Sequence, residues 1–92
     1  VAKWDGSINK AKLNKYLKLS SAQNEKVADI CDYFQEQMKM ANRSTKDADQ
    51  KVRNAVYGNL KLMKETLDDK QYADYVRLMA LTLQNKGIHI EK

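Results

Sequence analysis

The chain has 92 residues, 42% of them hydrophobic and 32% charged, and a net charge of +5 at a sequence pI of about 9.3. That length makes one domain with a modest core. Three glycines and no proline argue against an all-β fold, which needs many turns. No apolar run is long enough to span a membrane. The single cysteine excludes an internal disulfide.

Residues 1–7, VAKWDGS, read as a tail, with Trp4 as an anchor that docks on the body. Ser7 is the expected cap of a short helix at about 8–18, with Ile8, Leu13, Tyr16 and Leu17 as its apolar positions. Lys10, Lys12, Lys15 and Lys18 occupy other positions of that helix. A second helix is expected at about 21–42, where Val27, Ile30, Cys31, Phe34, Met38 and Ala41 recur at spacings of three and four. Cys31 is a core hydrophobe on that stripe, with Asp29 and Asp32 rather than basic groups beside it. After the polar turn NRSTKD, Val52, Ala55, Val56, Leu60 and Met63 mark a third helix at about 46–66. Gly58, in its middle, is either merely tolerated or a place where another backbone approaches. Tyr72, Tyr75, Val76, Met79 and Leu83 mark the inner side of a fourth helix at about 69–86. Gly87 suits its left-handed stop, with Ile88 folding back on Leu83. The reading is all-α: one short and three longer helices in a single domain over 1–92, with 88–92 as a second tail.

Two pentapeptides, LSSAQ at 19–23 and LDDKQ at 67–71, share one form at two of the helix starts. With Ser20 and Asp68 as N-caps, Gln23 and Gln71 fall at the third helical position. That is the arrangement of a capping box, worth about 1 kcal/mol per cap. Leu19 and Leu67 precede the caps; Tyr72 is the partner that can staple Leu67, whereas Asn24 makes a poor staple for Leu19. The pair of pentapeptides resembles the two LTxxQ motifs of the Spy/CpxP proteins, with Ser20 and Asp68 in place of threonine, and the resemblance extends over roughly residues 13–87. It implies a curved, hairpin- or cradle-like four-helix protomer, a homodimer, and a periplasmic or secreted location. It also implies a stress-response role, as an ATP-independent chaperone or an accessory to a sensor protein. Of the family's residues only Leu19, Ser20, Gln23, Leu67, Asp68 and Gln71 carry over, all in structural roles.

The remaining candidates are surfaces. On an ideal third helix Lys46, Gln50, Arg53, Tyr57, Lys61 and Lys64 fall within about 80° of one another. This is a solvated face or a surface for acidic or amphipathic partners; Lys stems cover apolar groups while their heads stay wet. Tyr33 and Met40 on the second helix, and Leu78 and Leu81 on the fourth, lie off the core stripes. They read as partner-binding residues in the first case and self-association residues in the second, against the plain alternative of scattered surface apolars. Glu25, Asp29, Asp32 and Glu36 form an acidic flank that the Lys-rich first helix is placed to balance.

No enzyme is expected. No phosphate loop, zinc spacing or nucleophile context is present, so no cofactor, metal or small-molecule substrate is expected either. Met38, Met63 and Met79 fall on core stripes, and the lone His89 lies past the last helix stop. The leading expectation is a non-enzymatic envelope protein binding unfolded or amphipathic protein segments, or a sensor partner. The alternatives are a basic helical nucleic-acid binder and a small scaffold subunit. With only three arginines against fourteen lysines, base-specific reading is disfavoured.

Overall fold

Buried stripes at helical spacing set the architecture. The computed structural model describes residues 4–88; residues 1–3 and 89–92, including His89, the first part of one expected tail and most of the other, lie outside the described part. Four helices follow in order: α1 (Lys10–Leu17), α2 (Ser21–Arg43), α3 (Ala48–Thr66) and α4 (Asp69–Asn85). No strand occurs among the described residues. The described helices fit the extents of 39 × 20 × 20 Å.

The long pair α2–α3 is the frame. Their short connection forces them antiparallel, and all six expected α2 positions, from Val27 to Ala41, are buried. Ala55, Val56 and Met63 meet them from α3, with Val52 and Leu60 partly buried at the margins. α4 packs against α3 and α1, and α1 bridges α2 and α4. Tyr75, Met79 and Leu83 are the buried residues of α4. Val76, expected to face inward, is 36% exposed: it sits about 100° round from Tyr75, beyond the side of α4 that its neighbours cover. Tyr16, expected on the apolar side of α1, is 49% exposed.

The helix ends show why each helix starts and stops where it does. α2 and α4 both begin with complete capping boxes on Ser20 and Asp68. α4 ends in a Schellman turn: Gly87, at φ +73°, donates to the Gln84 carbonyl at 3.1 Å and Ile88 to that of Leu83 at 2.9 Å. The other two starts differ from expectation. Ser7 does not cap α1, because the helix starts only at Lys10 and the cap position falls on Asn9, which accepts from the Lys12 N–H at 3.0 Å; the Ser7 N–H donates to the Asp5 carboxylate at 3.0 Å. α3 begins two residues late. Asp47 is left-handed at φ 58° and makes no side-chain cap, so Lys46 sits in the bend before the helix.

Trp4 docks as an anchor. It is 4% exposed and meets Phe34 edge-to-face at 5.5 Å, while the Asn42 side chain donates to its carbonyl at 3.0 Å. The chain reaches this position through Gly6, at φ +80°. A Cβ there would lie 2.8 Å from Met38 Cγ and 3.2 Å from Gln35 Cα, so the strap can cross α2 only with glycine. Gly58 is the opposite case: nothing among the described residues lies within 4 Å of its missing Cβ, so it is tolerated and no described backbone approaches.

Candidate functional site

The two capping boxes touch. Each glutamine accepts from its own cap N–H, Gln23 from Ser20 at 3.0 Å and Gln71 from Asp68 at 3.1 Å. The two side-chain amides also pair with each other, at 2.8 Å and 3.2 Å, across 48 positions of sequence. The remaining amide hydrogens then go to the ends of the opposite hairpin. Gln23 donates to the Thr66 carbonyl at 3.3 Å, where α3 stops, and Gln71 to the Leu17 carbonyl at 3.1 Å, where α1 stops. Each amide therefore uses both hydrogens and both lone pairs. The result is a near-twofold junction that fastens the α1–α2 turn to the α3–α4 turn. It is structural chemistry, with hydrogen-bonding capacity spent internally.

The basic stripe on α3 is outward. Lys61 and Lys64 are exposed, Tyr57 is 42% exposed and Arg53 is partly covered. Arg53 donates to the Gln50 side chain at 3.0 Å, within the stripe. Lys46 is exposed too, but it precedes the helix and is not held in the helical row. Tyr33 and Met40 stand 56% and 58% exposed on α2, and Leu81 54% exposed on α4. Leu78 departs from this group: it packs partly buried against the core. The acidic flank is met as its charge requires, with Lys10 of α1 paired to Asp32. That partner raises the Lys10 pKa.

Two buried polar groups lie behind these surfaces. Cys31 is 3% exposed, and burial pushes its thiol up to about 11, which removes thiolate reactivity near neutrality. Asn59 is 3% exposed and accepts from the Tyr75 hydroxyl, while its own Nδ2 has no partner among the described residues. Burial raises the Tyr75 pKa, with the nearby Cys31 adding to the effect. Asn59 shares the register of Ala55, Val56 and Met63, so the spacing alone could have placed it inward. No cluster of three or more His, Cys, Asp or Glu able to hold a metal occurs among the described residues.

Comparison of the chain with protein-family models, with curated proteins and with solved structures finds no match. The likeness to the Spy/CpxP proteins therefore stands on the two pentapeptides alone.

Proposed function

We propose that this protein is a non-enzymatic binding protein of the cell envelope, periplasmic or secreted, that holds unfolded or amphipathic protein segments without ATP. The observation that carries the reading is the division of the surface. A basic row with an aromatic in it runs along α3, while Tyr33 and Met40 of α2 remain more than half exposed. Lysine stems shelter apolar client groups and their ammonium heads meet client carboxylates. Contacts of this kind are individually weak and exchangeable, with an association rate that falls as salt rises. The paired LxxxQ starts support the same reading through the Spy/CpxP resemblance. Self-association through α4 rests on Leu81, since Leu78 is engaged in the chain's own core; sedimentation at two concentrations tests it.

The experiment is suppression of aggregation of an unfolded protein, followed by light scattering at low and high salt, with duplex DNA and RNA titrated in parallel. Suppression that weakens with salt, and that falls when Arg53, Lys61 and Lys64 are changed to Gln, supports the reading. Absence of suppression removes the chaperone role and leaves the sensor-accessory role. Tight low-salt binding of nucleic acid without suppression selects the nucleic-acid alternative instead.

A further inference from the structure

Trp4, Leu13, Tyr75 and Met79, all buried in the core, also form the floor of a pocket of about 360 Å³ between the N-terminal strap, α1 and α4. Ile8 and Leu78, both partly buried, close its sides. The volume is at the lower end of the range of about 300–1,000 Å³ that small-molecule sites occupy. Nothing in the sequence pointed to it, because its walls come from three segments that only the fold brings together.

The distribution of polarity limits what fits. The floor is apolar, and the Tyr75 hydroxyl is turned away to Asn59. The Thr82 hydroxyl, on the wall, is tied to the Leu78 carbonyl at 2.8 Å. The one charged lining residue is the exposed Lys12, one helical turn from Tyr16 on α1, with Ser7 and Asn9 as further polar lining residues. Lys12 has no carboxylate within ion-pair distance among the described residues, and no acidic residue lines the pocket. The Asp5 carboxylate is not part of the lining; it accepts from the Ser7 N–H at 3.0 Å, and its charged neighbour is Lys39. An occupant that is apolar along its length and anionic at one end matches this lining.

We propose that the pocket is a binding site for an anionic amphiphile, a medium-chain aliphatic carboxylate, with its tail on the Trp4–Met79 floor and its head at Lys12. The sequence carried the expectation of no small-molecule substrate and offered no small-molecule ligand; the proposal stands independently of client binding.

The chain's single tryptophan lies in the pocket, so its emission reports occupancy directly. Hexanoate, octanoate and decanoate are titrated below their micelle concentrations, with acetate and octanol as controls. Saturable shifts in Trp4 emission are expected, tightening about fourfold per added methylene until the pocket fills. Lys12→Gln should weaken octanoate about two- to fivefold and leave octanol unchanged. Thr82→Phe, with helical content checked by circular dichroism, should fill the space and abolish the response. A linear, unsaturable response overturns the site, as does equal binding to folded Thr82→Phe. Equal affinity for octanoate and octanol overturns the anionic head.

Discussion

Replacing Gln23 by Ala removes four hydrogen bonds at once: one to the Ser20 cap, one to the Thr66 carbonyl and two with Gln71. At about 0.5–1 kcal/mol net for each, the ceiling is about 2–4 kcal/mol. Partial exposure of both glutamines lets water replace some of these bonds, so about 2 kcal/mol is the expected loss. Gln71→Ala removes the equivalent set and should cost a similar amount. The two residues share a mutual pair, so the double variant should lose less than the sum of the singles, by about 1 kcal/mol. Urea denaturation of the parent, both singles and the double measures this coupling. Independent caps would be additive to within about 0.3–0.5 kcal/mol. That result would refute a junction joining the two halves and leave two ordinary helix starts.

Gly6→Ala should destabilise by about 2–3 kcal/mol, from the left-handed backbone and the clash with the Met38 stem, whereas Gly58→Ala should stabilise by about 0.5–1 kcal/mol; thermal melts compare them. Tyr75→Phe leaves the buried Asn59 amide with neither of its groups paired and should cost about 1–3 kcal/mol, while adding Asn59→Leu should bring the protein back toward parent stability by chemical denaturation. Alkaline pH should destabilise the fold. The unfolded thiol ionises near 9 whereas folded Cys31 holds its proton to about 11, so the native state binds more protons between those values and stability falls with rising pH. The slope approaches about 1.4 kcal/mol per pH unit for that group. Tyr75 acts in the same direction above its ordinary range, and Cys31→Ala should flatten the first part of a pH series of melting temperatures.

The long helices were legible because each carries one buried stripe and little else competes with it. The α2 positions Val27, Ile30, Cys31, Phe34, Met38 and Ala41 are all buried as their spacing requires. The α2 and α4 starts were legible because a capping box is a local pattern, complete within four residues. Part of what escaped was set by contacts distant in sequence, and part by local backbone turns. No periodicity says that Gln23 and Gln71 meet, although the recurrence of the form was the trace of it. Leu78 looked like a surface residue on α4 alone; α1 and the Trp4 strap give it an inner side. Ser7 had the right chemistry for a cap, but the helix starts at Lys10, and Asn9 took the position. Lys46 fell off the helical row because the backbone turns left-handed at Asp47, which no stripe reveals.

The most direct test of client binding is a residue-resolved amide NMR titration of the isotopically labelled protein with a soluble, permanently unfolded, acidic polypeptide. The account predicts fast-exchange shifts concentrated at Tyr33, Met40, Arg53, Tyr57, Lys61 and Lys64, fading as salt is raised, with the Gln23 and Gln71 side-chain amides unmoved. Shifts confined to the glutamine junction or to α4, or none at client excess, would contradict it.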